Sequence, residues 1–282
     1  MKLAEQFPIE IVSADSRQIY RLLDIGTGKP SRQEQSQVPT HLISLIDPGE
    51  RYNAARFVRD AELAIKEIHE RGKYPLIVGG TGMYLKALTS GLIELDEFDI
   101  AIREQLEAEL TTRGADSLWD ELYQRDPLDA AKIHPNNHYR LLRSLEIIRS
   151  TGQTKAELMG SRPTTEQVHE YEFIVLCPSR EQLYQAVNER VISMLDAGWL
   201  EEVSRLVQSG LADSIRKSSV IGYSELIDVT DGRLTLSDAM VLIQQQTRQY
   251  AKRQQTWFRH QTSGFQAGDQ KSAILALQSC FS

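Results

Sequence analysis

The chain has 282 residues, of which 41% are apolar and 25% are charged, so it is long enough for one large domain with an insert or for two domains. It contains no apolar run of about 18 residues that could cross a bilayer and no long apolar stretch of a secretory signal, and its two cysteines, Cys177 and Cys280, exclude a disulfide framework. We therefore expect a cytoplasmic protein without a membrane partner, and the net charge of −7 excludes nucleic-acid binding through overall charge alone.

The first third of the chain alternates between strand and helix patterns. Short apolar runs predict strands at 9–15, 40–47 and 74–80, the last apolar at nearly every position, as buried parallel strands are. Between the second and third strands, apolar residues at spacings of three and four predict a helix over 53–71, with Asn53 as its N-cap. This alternation predicts an α/β fold in which helices flank a parallel sheet.

The middle of the chain carries only helix patterns. Helices are predicted at 101–113, 127–133 and 137–150, and the strand pattern returns only at 171–177. We interpret 96–166 as an inserted helical subdomain and 1–95 with 167–282 as the α/β core. The remainder predicts helices at 180–197, 200–209, 219–227 and 237–260.

Asp15 is the first candidate for chemistry, because it directly follows the first strand in the motif SADSRQIY. In parallel sheets, ligands lie beyond the carboxyl ends of the strands. An aspartate there can act as a general base or hold a metal ion, or it can simply cap the next element. The residues alone leave these alternatives open.

The turn GGTGMY, residues 79–84, is the second candidate. Glycines between a strand and a helix let main-chain N–H groups approach a ligand, and the helix start adds a positive dipole end. Tight strand-to-helix turns also use glycine for purely steric reasons, so this pattern alone is weak.

The segment DIGTGKPS, residues 24–31, resembles a phosphate-binding loop but does not match one. A Walker A loop requires GxxxxGK followed by Ser or Thr. Here Pro30 follows Lys29, and Leu23 occupies the position of the required first glycine. No other segment fits the pattern, so the sequence contains no Walker A loop.

Cations near the C-terminal end form the third candidate. From Ala239 to Gly268 there is no Asp or Glu, whereas Arg248, Lys252, Arg253 and Arg259 lie there. Such a patch can bind phosphates, or it can be a solvated helix face. Arg190, on a separate amphipathic helix, is open to the same two interpretations.

The identity and order of these motifs carry more than any one of them. DSRQIY, DIGTGKP, GGTGMY, HPNN with RLLRSLE, ERVISML, IGY and KRQQTWFR together resemble the tRNA dimethylallyltransferase family over about residues 5–260. The resemblance implies a P-loop NTPase-like fold with a mobile helical insert. It also implies transfer of a prenyl group from dimethylallyl diphosphate, with Mg²⁺, to N6 of the adenine 3′ of the anticodon in tRNAs that read codons beginning with U.

The family's site residues map onto this sequence position by position. The resemblance implies that Asp15 is the base, that Thr81 lies at the reaction channel and that Arg190 binds the diphosphate. It implies tRNA anticodon stem-loop contacts by Asp15, Ser16, Arg17, Gln18, Thr81, Arg103, Tyr139, Arg140, Leu141, Leu142, Arg143, Gly222, Tyr223, Lys252, Arg253, Gln254, Gln255, Thr256, Trp257, Phe258 and Arg259. A monomer is expected.

The sequence departs from the family at its start. The family begins with a strand and a phosphate-binding, ATP-site-like loop, whereas here Met1 lies 14 residues before Asp15. We therefore expect the first strand and the loop to be missing, which would leave a gap in the sheet and weaken or abolish catalysis. A start codon assigned too late and a truncated protein are the two explanations.

Three alternatives to a tRNA prenyltransferase stay open. The chain could be a catalytically dead tRNA-binding fragment, or an enzyme that prenylates free adenine nucleotides. A nucleotide kinase on the same fold is a third, against which the failed Walker A match counts.

Overall fold

The computed structural model describes residues 3–91, 100–134, 136–161, 169–261 and 264–281. The chain divides into two units, one formed by Met1–Ser90 with Val168–Ser282 and the other by Gly91–Gln167.

The first unit contains two small parallel sheets. In the first, β1 (Ile9–Ser13) lies between β2 (Thr40–His41) and β3 (Tyr74–Val78), with Ile11 opposite Thr40 and Leu76. In the second, β4 (Ile174–Leu176) pairs in parallel with β5 (Phe265–Ala267). Helices cover these strands, which confirms the predicted α/β class with a parallel sheet.

The helices of the first unit within the described ranges are α1 (Arg32–Gln37), α2 (Ala54–Glu70), α3 (Gly82–Ser90), α8 (Arg180–Asp196), α9 (Trp199–Gln208), α10 (Ala212–Ser218), α11 (Tyr223–Thr230), α12 (Leu236–Gln261) and α13 (Gln270–Cys280). Those of the second unit are α4 (Ile100–Arg125), α5 (Pro127–Ala130), α6 (His138–Thr151) and α7 (Lys155–Ser161). None of these helices has the length and apolarity that a membrane span requires.

Helix α2 shows how local sequence sets an element. The Asn53 side chain accepts a hydrogen bond from the Arg56 N–H, as its predicted N-cap role requires. Phe57, Ala61 and Ile65, with the next apolar positions of the same face, are buried against β1 and α3. Burial of each large apolar side chain contributes roughly 1.5–3 kcal/mol, so this face anchors the helix under the sheet.

Three predicted strands are shorter or less buried than expected. The 40–47 strand ends at His41, because Leu42 and Ser44 have φ values of 61° and 53°, which an extended chain cannot adopt. The 171–177 strand is limited to Ile174–Leu176. Strand β3 is an edge strand whose end residues, Tyr74 and Val78, are each 48% exposed, so the expectation of a fully buried strand was wrong.

The helix predicted at 219–227 begins only at Tyr223, because Ser219 and Gly222 adopt left-handed φ values of 52° and 93°. The helix predicted at 101–113 continues to Arg125, with a break at Gly114 (φ 81°). The sequence analysis missed α1, α7, α10, β5 and α13, which are short or weakly patterned.

A buried carboxylate fixes the amino-terminal side of the first sheet. The side chain of Glu10, on β1, is 4% exposed. Its carboxylate accepts hydrogen bonds from Arg71 (2.7 Å) and Lys73 (2.9 Å), and His41 Nε2 lies 2.7 Å from Glu10 Oε2. The Arg71 guanidinium, with smaller contributions from His41 and Lys73, outweighs burial and lowers the pKa of Glu10 from 4.5 to about 2.

Since the folded pKa of Glu10 is depressed, its stabilisation is present above pH 4.5 and is lost as the pH falls toward 2. We expect Glu10→Gln to lower the free energy of unfolding by about 3 kcal/mol at pH 7. The difference from the parent should shrink below pH 4.5, as urea unfolding at stepped pH would show. Glu5→Gln, at an exposed position, is the control, and a pH-independent difference would contradict the assignment.

Candidate active site

Asp15 and Thr81 meet beyond the carboxyl ends of β1 and β3. The Arg17 N–H donates to Asp15 Oδ1 (2.7 Å), and the Ser16 N–H donates to Thr81 Oγ1 (2.9 Å). The Thr81 N–H in turn donates to the Ala14 carbonyl (3.2 Å). Within the described ranges the second carboxylate oxygen of Asp15 has no hydrogen-bond partner, which leaves it able to accept a proton.

The glycines of the GGTG turn have a steric role. A Cβ atom on Gly79 would lie 2.2 Å from the Ala14 carbonyl oxygen, and one on Gly82 would lie 2.4 Å from the Trp257 ring. The Gly80 carbonyl accepts a hydrogen bond from Gln254 Nε2 at 2.8 Å. These glycines therefore let the turn pack between β1 and α12, which is the plainer of the two interpretations offered by the sequence.

Helix α12 also brings Tyr250 to the site, a residue that the sequence analysis missed. Tyr250 lies beside Thr81 and Asp15, and burial, followed by the neighbouring Asp15 charge, raises the pKa of Tyr250. The phenol therefore stays protonated next to the Thr81 hydroxyl. The sequence did contain a signal for Tyr250, because this tyrosine lies one helical turn before Gln254 and therefore on the same face of α12.

Gln18 links the Asp15 segment to Arg190. Ser13 Oγ donates to Gln18 Oε1 (3.1 Å), and Gln18 Nε2 donates to the Gly28 carbonyl (3.1 Å). Gly28 has φ 62°, and a Cβ there would lie 2.0 Å from Arg190 Nη2, so the guanidinium rests directly on this glycine. Arg190 is exposed and makes no ion pair or hydrogen bond within the described part of the chain, which leaves it available for an anion.

Lys29 does not face this site. Its side chain is 4% exposed, and its ammonium group donates to the Tyr20 carbonyl and pairs with Asp24 Oδ1 at 2.7 Å. The lysine of DIGTGKP therefore closes its own loop and does not serve as a phosphate-binding lysine.

Glu202, a second residue that the sequence analysis missed, binds the main chain of the same loop. This buried carboxylate accepts hydrogen bonds from the Ile25 N–H (2.9 Å), the Asp24 N–H (3.2 Å) and the Tyr223 hydroxyl (2.6 Å). Burial, and then the Glu202 charge, raise the pKa of Tyr223, so the phenol remains a donor. The signal in the sequence was an acidic residue on the apolar face of α9, next to Val203.

Some predicted tRNA-contacting residues of the first unit face solvent and others do not. Lys252, Arg253 and Arg259 are exposed along α12, as is Thr256, and Arg253 lies over the Tyr250 ring. Half-buried positions on the same helix are Gln254, Gln255, Trp257 and Phe258. The exposed cations are thus a surface that can meet phosphates.

Two residues of this unit that are predicted to contact tRNA are buried. Tyr223 is fully buried, and Gly222 is buried because a Cβ there would lie 2.1 Å from the Trp199 ring. The Tyr223 side chain therefore packs in the core, and contact of tRNA with these two residues stays a prediction. The neighbouring Ser218 carbonyl accepts a hydrogen bond from Arg17 Nη1 at 2.8 Å, which ties this region to the Asp15 segment.

In the second unit, Arg103 lies over the ring of Tyr139, 5.6 Å from its centroid, and pairs with Glu107 at 2.7 Å. Tyr139 is 71% exposed, Arg140 is exposed, and Arg143 pairs with Glu146 at 3.0 Å.

Leu141 and Leu142 are 1% and 3% exposed and pack in the core of the second unit. Their side chains lie on the inner face of α6, and contact of tRNA with these two positions stays a prediction.

The described residues contain no group of three or more His, Cys, Asp or Glu side chains that could hold a metal ion. The donor set around Asp15 is one carboxylate with neighbouring hydroxyls, which does not form a protein cage for Mg²⁺.

Comparison with known proteins places this geometry in a family. A family model described as IPP transferase matches residues 18–261. The tRNA dimethylallyltransferase of Geobacter sulfurreducens is 40% identical over 259 residues, which cover 92% of this chain and 83% of that protein. That of Levilactobacillus brevis is 44% identical over 265 residues, with coverages of 93% and 85%.

Solved structures agree with the sequence matches. The full-length tRNA isopentenylpyrophosphate transferase from Bacillus halodurans superposes with a TM-score of 0.68 at 36% identity, covering 99% of this chain and 89% of that one. A eukaryotic dimethylallyltransferase acting on tRNA gives a TM-score of 0.76 at 31% identity, with coverages of 91% and 65%. Both kinds of match extend over most of the chain, including the segments that carry Thr81, Arg190 and α12, and the chain therefore belongs to the IPP transferase family.

Proposed function

We propose that this protein transfers a dimethylallyl group from dimethylallyl diphosphate to N6 of the adenine 3′-adjacent to the anticodon, in tRNAs that read codons beginning with U. The observation that carries the proposal is that Asp15 and Thr81 lie side by side at one sheet edge, with the unpaired Arg190 linked to the same segment through Gln18 and Gly28. The names of its relatives, tRNA dimethylallyltransferases, support the same reaction.

Asp15 is the proposed general base. The exocyclic amine of adenine is a weak nucleophile, because its lone pair is delocalised into the ring. As the N6–carbon bond forms and the carbon–oxygen bond to diphosphate breaks, the free oxygen of Asp15 takes the N6 proton. A positioned base of this kind contributes roughly 10²–10⁴-fold to the rate.

Arg190 is the proposed partner of the leaving group. Diphosphate gains negative charge as the carbon–oxygen bond breaks, and a guanidinium can bind its oxygens in a bidentate manner. Thr81, held by the N–H and the hydroxyl of Ser16, presents a fixed hydroxyl beside Asp15. In this proposal the substrate binds between the base, Asp15, and the cation, Arg190, which lie on different elements of the fold.

Mg²⁺ enters the proposal only with the substrate. Because the described residues supply no cluster of ligands, phosphate oxygens and water would have to provide most of its coordination, with at most one carboxylate from the protein. We also propose that the protein acts as a cytoplasmic monomer. Size-exclusion chromatography with light scattering would test its oligomeric state.

The exposed cations of α12 are the proposed phosphate contacts. We expect Lys252→Ala and Arg253→Ala each to weaken tRNA binding. Each should also reduce the slope of the logarithm of the binding constant against the logarithm of the salt concentration by up to about one unit, because a complex with one phosphate contact fewer releases fewer counterions when it forms. Filter binding at several salt concentrations measures this slope. Lys66→Ala, an exposed lysine on α2, is the matched control, and an unchanged slope for the α12 variants would mean that these cations face only solvent.

One experiment separates the proposed reaction from its alternatives. The protein is incubated with radiolabelled dimethylallyl diphosphate and either tRNA or AMP, and the digested nucleosides are separated. We expect label in the N6-prenylated adenosine of tRNA alone. Label on AMP but not on tRNA would identify an adenine-nucleotide prenyltransferase, and retention of tRNA on a filter without product would identify a non-catalytic tRNA-binding protein.

A further inference from the structure

Two arginines lie against one tyrosine where α8 packs on α12. The guanidinium carbon of Arg180 is 5.1 Å from the centroid of the Tyr184 ring, and that of Arg248 is 6.0 Å from the same centroid. Arg180 and Tyr184 belong to α8, whereas Arg248 belongs to α12. We call these three residues the Tyr184 cluster.

The Tyr184 cluster has no acidic counter-charge. Arg248 Nη1 donates to the neutral side-chain oxygen of Asn188 at 2.7 Å, and neither arginine forms an ion pair in the part of the chain that the structure describes. The sequence from Ala239 to Gly268, which includes most of α12, contains no Asp or Glu. Two positive charges therefore share one ring without a carboxylate between them, and an anion from outside the chain would neutralise them.

The stability of α8 does not account for Arg180. This arginine is the first residue of the helix, directly after Ser179, whose side chain caps the helix by accepting the Gln182 N–H. The positive end of the helix dipole lies here, and it disfavours a cation. The same end of a helix favours a bound anion, so the dipole and the two guanidinium groups attract a negative ligand together.

Helix α12 connects the Tyr184 cluster to the proposed phosphate contacts. Lys252 lies one helical turn after Arg248 and therefore on the same face of α12. About one turn farther along, Gln255 Nε2 donates to the Pro178 carbonyl at 3.1 Å, which holds the start of α8 against this face. The Tyr184 cluster thus continues the cations of α12 onto a second helix.

The Tyr184 cluster is separate from the proposed diphosphate site at Arg190. Asn188, which binds Arg248, lies two positions before Arg190, so the two side chains leave α8 on nearly opposite sides. Arg180 lies ten positions before Arg190, which is roughly 15 Å along the helix axis at 1.5 Å per residue. A diphosphate held by Arg190 would not reach the Tyr184 cluster.

We propose that the Tyr184 cluster binds backbone phosphates of tRNA. Each guanidinium donates to phosphate oxygens, for which its planar fork is well suited, and the Tyr184 ring holds both groups in place. Contacts of this kind fix the position of a bound nucleic acid without reading its sequence. The inference rests on the proposed function, because it takes tRNA as the substrate.

The test measures tRNA binding of Arg180→Gln and Arg248→Gln at several salt concentrations. Each variant should reduce the slope of the logarithm of the binding constant against the logarithm of the salt concentration by about 0.7–0.9. Each should therefore bind roughly five- to eightfold more weakly than the parent at about 0.1 M salt and nearly as well at about 1 M. Arg180→Lys and Arg248→Lys keep the charge and should keep most of the slope.

Arg56→Gln is the matched control. Arg56 also lies over a tyrosine ring, 5.0 Å from the centroid of Tyr52, but it has an acidic partner in Asp60, with Arg56 Nε 4.0 Å from Asp60 Oδ2. This variant should keep both the affinity and the slope of the parent. Tyr184→Leu, which removes the ring but neither charge, should weaken binding without changing the slope.

Failure of this proposal and failure of the proposed function give different results. A parent protein that binds no tRNA would overturn both. If the parent binds and prenylates tRNA while both glutamine variants keep its salt slope, the Tyr184 cluster is not a phosphate site and the proposed function stands. Weaker binding of inorganic diphosphate by the variants, with an unchanged tRNA slope, would assign these arginines to the donor instead. A lower urea midpoint of unfolding with an unchanged slope would make their role structural.

Discussion

Asp15→Asn should lower the rate of prenyl transfer to tRNA by about 10²–10⁴-fold, measured in single turnover with saturating donor. The amide oxygen of asparagine can still accept the Arg17 N–H that Asp15 Oδ1 accepts at 2.7 Å, so the turn should keep its shape. What the substitution removes is the carboxylate oxygen that we propose takes the N6 proton. The affinity for tRNA should therefore stay within a few fold of the parent value.

Asp196→Asn is the matched control for this variant, because Asp196 is an exposed aspartate at the end of α8. It should leave both the rate and the affinity unchanged. If Asp15→Asn turned over as fast as the parent, another group would have to be the base. If it lost tRNA affinity in proportion to rate, Asp15 would be a binding residue.

Glu202→Ala should lower the free energy of unfolding by about 3–5 kcal/mol. The substitution leaves the Asp24 and Ile25 N–H groups and the Tyr223 hydroxyl without their acceptor, and each unsatisfied buried group costs about 1–3 kcal/mol. Urea unfolding followed by tryptophan fluorescence measures the change, since Trp199 packs directly on Tyr223, with ring centroids 5.6 Å apart.

Glu202→Ala should also weaken the binding of dimethylallyl diphosphate, measured at urea concentrations at which the variant is still folded. The reason is that the loop ending at Gly28 contacts Arg190. Glu201→Ala is the control, at the adjacent exposed position of α9, and should stay within about 0.5 kcal/mol of the parent. A Glu202→Ala protein as stable as the control would show that water satisfies these donors and that Glu202 does not hold the loop.

Local patterns were sufficient for several features of this molecule. Helix α2 follows from Asn53 and one apolar face, both of which lie within the helix or beside it. The meeting of Asp15 with Thr81 follows from two strand patterns, because parallel strands place their carboxyl ends at one edge of the sheet. Family membership was likewise predictable from ordered motifs.

Other features depend on residues far apart in the chain. Glu202 lies 178 positions from the Asp24 N–H that it accepts, and Gln254 lies 174 positions from Gly80, so no local period could pair them. The burial of Tyr223 has the same origin, since Trp199, on a different helix, covers it.

By itself, the sequence determined the α/β class, the main helices, the family and the two strand ends that carry Asp15 and Thr81, because each of these depends on neighbouring residues or on a rule common to all parallel sheets. Only the tertiary structure decided which buried polar groups hold the loop beside the site. It also decided that β3 is an exposed edge of its sheet. Exposure and hydrogen-bond partners are set by what packs against a residue from elsewhere in the chain. An apolar strand such as YPLIV has the same sequence whether or not another strand lies beside it.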